Sequence, residues 1–597
     1  MRLREVPPMN RIREFAVAIM FLFAFPLSAR AAITISPAYS QLVVGQTLQF
    51  SANQDVIWLV NNAVGGTAAT GTVSASGLYT APSGVPSPAI ATVTAVSKSD
   101  PGETATATVT LLGHAASGHT YYVATNGSDG NSGTLAAPWK TVQHAANTAV
   151  AGDTVLVRAG VYNEHVAFPA SGSAAGGYIT FENYPGETAT IDGTGLDIPD
   201  GQWGLFTLQN NSYVIVAGFE VRNYTTNSTK QVPIGIYVFG AGSGVQIINN
   251  SVHDITTTAK TTPKKCGSDA FGITVYGTQA PAAIDGIAIS GNEVFHLHTG
   301  CSETLSLDGN VTNFAVVSNL IHDDDNIAIG AIGFEGVSPD PAYDQAREGE
   351  IRGNTVYNIT SYGNPDYGNQ YAADGIYVDG GTNIVIEQNR IHNVDLGIEL
   401  ASEHKDHVSS YITARNNLVY DGNSAGISIG GYAKKRGGTD HCVVVGNTLF
   451  ENDAQNTGSG EFQIQFNATN NSFENNILYA GAQGLFVNDF TTSSPDPSLL
   501  DYNLYFSTVG AGNGKWVWQK KHYVGYAKYL AGTGLDQHSP AFSDPLFVNP
   551  PSNLDIGSGS PAIAAGAILG GSVNGATDFA GNPRVQNGAI NIGAYEQ

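Results

Sequence analysis

The sequence predicts an all-β chain built as a solenoid, on three grounds: a short phrase repeated at coil-sized intervals, a two-residue hydrophobic alternation leading into each copy, and the lack of paired helical patterns. The phrase is an alternation running into Asn, any residue, an aliphatic residue, and then His, Tyr or Phe. It occurs eight times, centred on Asn250, Asn292, Asn319, Asn354, Asn389, Asn417, Asn447 and Asn476. Successive differences are 42, 27, 35, 35, 28, 30 and 29 residues, the size of one stacked repeat.

Segments such as VQIINNSV, FAVVSNLI, NIVIEQNRI and ITARNNLV alternate with period two and favour Val and Ile, as half-buried strands do. No run with apolar residues at i, i+3, i+4 and i+7 is long enough to pair as a helix. Each coil is therefore read as two or three short strands separated by Gly, Asn or Asp turns. Coils stacked about 4.8 Å apart set each Asn over the next. Such a ladder satisfies backbone groups that turns leave open, so the asparagines are read as structural. His322 and His392 belong to the same phrase and are read as turn residues rather than metal ligands.

Length and composition agree. A 597-residue chain exceeds one ordinary domain, yet a solenoid grows by adding coils. With 42% apolar and only 13% charged residues it is too apolar for disorder. The start of the chain sets the compartment. Arg2, Arg4, Arg11 and Arg13 precede an apolar stretch from Phe15 to Leu27 and the small-x-small site Ala29-Arg30-Ala31, so residues 1–31 are read as a secretory signal. That stretch falls short of the roughly 20 residues that span a bilayer, so no membrane association is expected after cleavage. Cys266, Cys301 and Cys442 are too few to organise the fold, although the first two lie about one coil apart.

Twenty-six basic against fifty acidic groups give a net charge of −24, the wrong sign for binding a phosphate backbone, and nucleic acid is excluded as a partner. The same field favours a neutral glycan, or an acidic one bridged by calcium.

Residues 32–113 read as short strands with turn clusters NNAVGG, SASG and APSGVPSP around Trp58. Through SASGLYTAP and TATATVTLL this segment resembles bacterial immunoglobulin-like modules, which implies a small β-sandwich that spaces or attaches. The segment YYVATNGSDGNSGTLAAPWKTVQHAANTAVAGDTVLVRAGVYNEHVAF, residues 121–168, resembles the opening coil of right-handed parallel β-helix proteins of the pectate-lyase-like group. The resemblance implies a short helix, Thr141 to Ala149, covering the open end of the first coil. SPAIAAGA and DFAGNPRVQNGAINIGAYEQ resemble the closing segment of secreted bacterial β-helices. The expected architecture is therefore all-β, a right-handed parallel β-helix preceded by an immunoglobulin-like β-sandwich, with the helix over residues 114–540 and further coils or a cap over 541–597.

Carboxylates gather in the middle of the chain. Five segments align on an apolar residue expected to start an inward row: CSETLSLD at Leu305, DDDNIAIG at Ile327, DGIYVD at Ile376, LGIELA at Ile398 and AGISIG at Ile427. Two positions earlier stand Glu303, Asp325 and Asp374; three positions later stand Asp308 and Asp379; one position later stands Glu399. If Ile376 and Val378 point in, Tyr377, Asp379 and Glu399 point out on one face. Like charges stacked about 5 Å apart are costly, so some must be protonated, metal-bound or used in acid/base work.

DGIYVDGGTNIVIEQNRIHNVDLGIELASEH, residues 374–404, resembles the paired segment of the β-xylosidase family built on a parallel β-helix. The resemblance implies Asp379 as nucleophile and Glu399 as acid/base; this chain lacks that family's recognisable outer β-sandwich, so substrate identity does not transfer. Independently of it, twenty residues separate the two acids, close to one short coil, so their strands should be neighbours offset by two residues. Either a retaining or an inverting separation fits. Asp374 would modulate the pair or position water. Glu403, His404 and Arg436 follow the outward face and, with Glu303 and Asp308, are expected to bind substrate; Tyr377, Tyr371 and Tyr432 are expected to stack on sugar rings.

The expected function is a secreted carbohydrate-active enzyme, a glycoside hydrolase acting on a polysaccharide or oligosaccharide and requiring no cofactor. One alternative is a calcium-dependent polysaccharide lyase, with Asp323 and Asp325 of the run Asp323-Asp324-Asp325 as Ca2+ ligands. Against it, Lys434, Lys435 and Arg436 lie in one loop and Lys264 and Lys265 in another, and no strand-borne base is evident. A second alternative is a non-enzymatic surface or adhesion protein.

Overall fold

The computed structural model of the chain describes residues 33–37, 39–99, 104–113, 118–261, 266–492 and 498–597. The expected signal at residues 1–31 lies outside them. Three long sheets run the length of a solenoid, with 13, 12 and 13 strands among the described residues. They begin at Thr120–Val123, Gly160–Tyr162 and Val166–Ala167, and each coil contributes one strand to each. Pairing is parallel until the last rung, where Lys515–Trp518 meets Lys521–Val524 antiparallel. The interior is one continuous column of Val, Ile, Leu and Phe, which is why the strands alternate with period two.

The asparagine ladder forms as the spacing predicts. The backbone N–H of Asn250 donates to Asn292 Oδ1 at 2.9 Å, and its side-chain amide donates to Val216 O at 3.0 Å. The same pair of bonds recurs through Asn292, Asn319, Asn354, Asn389, Asn417, Asn447 and Asn476. Asn503 extends the ladder by one further rung. His322 and His392 are not turn residues. They sit in the strands Leu320–Asp324 and Arg390–Val394 and belong to an outward stack, His253, Phe295, His322, Tyr357, His392 and Tyr420, with ring centroids 4.8–5.3 Å apart. Side chains at one register position recur on every coil, so flat rings there stack face to face.

The helix near the start is Val142–Thr148; the Thr141 hydroxyl caps it by accepting from His144 N at 3.1 Å. Val142, Ala145 and Ala146 bury against Val123 and Val155 of the first coil. At the far end Trp516 stacks on Tyr529 of the helix Tyr526–Thr533, centroids 5.0 Å apart, and closes the column. Residues 541–597 do not add coils. They turn back along the outside: Tyr595 joins a cluster with Leu418, Tyr420 and Phe450, and Ala594 N donates to Thr448 Oγ1 at 3.0 Å.

Before the solenoid, residues 33–113 form a five-stranded sheet and a four-stranded sheet around Trp58, Tyr79 and Val93. This unit is bonded to the first long sheet. Gln41 and Asn249 exchange hydrogen bonds of 3.0 and 2.6 Å, and Tyr39 and Ser290 hydroxyls lie 2.8 Å apart. Cys266 and Cys301 are disulfide-bonded, and Cys442 is a buried thiol.

Candidate functional site

Six strands of the third sheet carry the site: β1 (Leu305–Gly309), β2 (Ile329–Ile332), β3 (Asp374–Asp379), β4 (Leu396–Ala401), β5 (Ile427–Gly430) and β6 (Phe462–Ile464). Leu305, Ile329, Ile376, Ile398, Ile427 and Phe462 pair in register and point inward. One outward row is therefore Ser306, Gly330, Tyr377, Glu399, Ser428 and Gln463. A second row, two residues on, holds Asp308, Ile332, Asp379, Ala401 and Gly430. Asp379 and Glu399 thus lie on neighbouring strands with a two-residue offset, as the spacing suggests.

The expected alignment of DDDNIAIG is corrected by this register. The residue opposite Leu305 and Ile376 is Ile329, not Ile327. Asp325 therefore has no place beside Glu303 and Asp374; Ile327 stands there and packs on Tyr377 and Ala401. A slip of two residues keeps the inside-outside alternation, so the pattern alone could not reveal it.

Strict alternation would also turn Asp374 into the core beside Ile376. The structure avoids this at Gly375. A Cβ there would meet the core side chain of Ile391 at 2.5 Å, so Gly375 and Ile376 both face inward and Asp374 returns to the outer face. Glu303 reaches the same face because Gly330 leaves room: a Cβ on Gly330 would lie 2.9 Å from Glu303 Cγ.

The groove gathers Glu303, Asp308, Asp374, Asp379, Glu399 and Glu403. Asp308, Asp374 and Asp379 are only 3–4% exposed. One carboxylate oxygen of Asp308 and one of Asp374 are buried without a hydrogen-bond partner among the described residues. Burial, reinforced by neighbouring acids, pushes Glu303 and Asp308 each up to about 8. Burial and then Glu403 push Glu399 up to about 7. Burial raises Asp374 and Asp379 well above the usual carboxylate range.

The hydrogen bonds of the central pair differ. Glu399 Oε1 accepts from Gln465 Nε2 at 2.5 Å and from the Ser428 hydroxyl at 3.3 Å. Asp379 Oδ1 accepts from the backbone N–H of Glu403 at 2.7 Å, and Asp379 Oδ2 lies 3.8 Å from His404 Nε2. That nitrogen is buried, makes no hydrogen bond among the described residues, and lies 3.4 Å from Glu335 Oε1. Glu335, Asp379 and His404 have donor atoms within 4.8 Å of one another, the one such group of metal-type ligands among the described residues.

The remaining residues divide. Tyr377 is 7% exposed and its hydroxyl donates to Glu403 Oε1 at 3.3 Å, so it braces Glu403 and offers no stacking face. Arg436 reaches the groove: Nη1 donates to Glu403 O at 3.1 Å and the guanidinium lies 5.0 Å from the Tyr432 ring centroid. Tyr371 stacks on Tyr362, centroids 4.9 Å apart. Asp323 and Asp325 line one cavity and each has bonds of its own. Asp323 engages His322 at 2.7 Å and Asn358 at 3.0 Å, whereas Asp325 accepts from Thr299 N at 2.7 Å and faces His298 at 3.3 Å. Lys264 and Lys265 lie outside the described residues. Glu335 and Gln465 escaped the sequence reading; Gln465 was findable, since it follows the inward Phe462 by three residues as Asp379 follows Ile376.

Comparison with known proteins gives five findings. Residues 121–285 match the family described as Pel9A-like, right handed beta helix region, and residues 343–524 match that described as right handed beta helix region. The chain is 37% identical over 432 residues to the "Uncharacterized protein YwoF" of Bacillus subtilis (strain 168), covering 72% of this chain and 89% of that protein. It is 29% identical over 147 residues to "Pectate lyase PEL9" of Emericella nidulans, covering 23% of this chain and 32% of that protein. Among solved structures it is similar to pectate lyase Pel9A, with 14% identity, TM-score 0.43, and coverage of 81% of this chain and 97% of that one.

Proposed function

Because the chain belongs to the right-handed β-helix family that includes YwoF, we propose that it is a secreted glycoside hydrolase whose acid pair is Asp379 and Glu399. The observation that carries this reading is the pair itself: two carboxyl groups on adjacent strands of one face, offset by two residues, in a groove rich in acids. Hydrolysis of a glycosidic bond needs one carboxylate and one carboxylic acid. Glu399, held near 7, suits the group that protonates the leaving oxygen and then activates water.

Asp379 needs stabilisation of its charge to act as the carboxylate, since burial and the acids around it favour its protonated form. The Glu403 N–H on Oδ1 favours that form, and His404 Nε2 lies 3.8 Å from Oδ2. Burial, and then the charge of Glu399, favours the protonated form of Asp374. No cofactor enters this chemistry. Secretion is supported by the Cys266–Cys301 disulfide, since such bonds persist in oxidising compartments.

A second reading, a cation-dependent polysaccharide lyase, is favoured by the similarity of one segment to pectate lyase PEL9 and by Arg436, which bonds to the backbone of Glu403. In that reading Glu335, Asp379 and His404 would hold the cation; two carboxylates and an imidazole suit a transition metal better than calcium.

The purified chain is to be incubated with neutral and acidic plant and microbial polysaccharides, with new reducing ends and unsaturated uronide absorbance recorded together. The hydrolase produces reducing ends without the absorbance. Absorbance abolished by chelation overturns it in favour of the lyase, and no product from any glycan favours a binding protein.

A further inference from the structure

Beside the acid groove lies a cavity of about 790 Å3 that plays no part in the chemistry above. The two share a wall. The loop over residues 360–373 carries Tyr362 into the cavity, then leads through Ala373 to Asp374 in the groove. The wall is pinned at both ends on buried Asp395, which accepts from Thr360 Oγ1 at 2.8 Å and from Ala372 N and Ala373 N at 3.0 and 3.1 Å. Midway, Asn364 Nδ2 donates to Gly300 O at 2.8 Å and Asp325 O at 3.0 Å. The lining is therefore held in shape before any ligand arrives.

Its chemistry is that of a sugar site. Tyr362 is 49% exposed, and stacking of one face on Tyr371 at 4.9 Å holds the ring still while the other stays open. An apolar face of a pyranose packs on such a ring. Around it Asn358, Asn393 and Asn423 come from three successive coils, about 4.8 Å apart. Asn358 Oδ1 and Asn393 Nδ2 have no protein partner among the described residues, one an acceptor and one a donor. Asp323 and Asp325 also line the cavity; they accept from hydroxyls and repel a uronate. The volume lies within the usual range of ligand sites, about 300–1,000 Å3.

We propose that this cavity is a second glycan-binding site, taking uncharged sugar units of a polysaccharide whose neighbouring segment lies in the acid groove. The inference rests on the glycan reading of that groove but not on its catalysis, so its test is binding alone.

Affinity electrophoresis of the full-length Asp379→Asn variant through gels containing arabinoxylan, galactan, mixed-linkage glucan, mannan or polygalacturonate reads it directly. At least one neutral glycan should retard the protein. In that gel Tyr362→Ala should weaken retention about tenfold, Asn393→Ala should weaken it less, and Tyr362→Trp should preserve it. Unchanged retention in Tyr362→Ala, retention by polygalacturonate alone, or no retention in any gel overturns the proposal. Retention that depends on Tyr362, with no turnover of the same glycan by the wild type, leaves this site standing and removes only the hydrolase reading.

Discussion

Replacing Gln465 with leucine probes how the fold tunes its proton donor. Gln465 Nε2 donates to Glu399 Oε1 at 2.5 Å, and only the Ser428 hydroxyl, at 3.3 Å, shares the task. A hydrogen bond to a charged group contributes about 1.5–3 kcal/mol, and each pKa unit corresponds to about 1.36 kcal/mol. The bond favours the ionised form, so its loss raises Glu399 from about 7 by about one unit or more. As the proton donor, Glu399 sets the alkaline limb of the kcat/KM profile. That limb should move to about pH 8 in Gln465→Leu while the acidic limb stays in place. A pH-rate profile on whichever glycan is turned over decides it. An unmoved alkaline limb, or a shift confined to the acidic limb, would refute the assignment of Glu399.

Further outcomes follow from the same geometry. Asn389→Ala leaves the buried Asn354 N–H without its partner and removes the amide bond to Ile351 C=O. At about 1–3 kcal/mol for the unpaired donor the loss should be at least about 1 kcal/mol in denaturant unfolding, and a loss under about 0.5 kcal/mol would contradict a structural ladder. Glu303 and Asp308 stand near 8 in the folded chain and near 4 when unfolded. The folded state then holds more protons between those values, so stability is fully present below about pH 4 for these groups and is lost as pH rises to about 8. Thermal midpoints should fall across that window, and less steeply in Asp308→Asn.

Much of the architecture was legible because a solenoid repeats its sequence with its structure. The eight asparagines mark the coils, and Asn503-Leu504-Tyr505-Phe506, which departs from the phrase in having Tyr505 at the aliphatic position, marks a ninth rung. The acid pair was legible for the same reason, one coil apart with a fixed offset. What alternation could not show was anything that breaks or slips it. Ile327 and Ile329 obey one pattern equally well, Gly375 flips Asp374 without changing spacing, and Glu335 arrives from a loop with no period. Whether the tail beyond residue 540 adds coils or covers existing ones is not legible in its sequence, since its apolar residues pack outside the column, against Leu418 and Phe450, rather than within it.

The central claim is that Asp379 and Glu399 act as one pair. Asp379→Asn and Glu399→Gln, each shown by its unfolding transition to be folded, should lose at least about a thousandfold in kcat on the glycan that the wild type hydrolyses. Retention of a tenth or more of wild-type turnover by either variant would contradict the account.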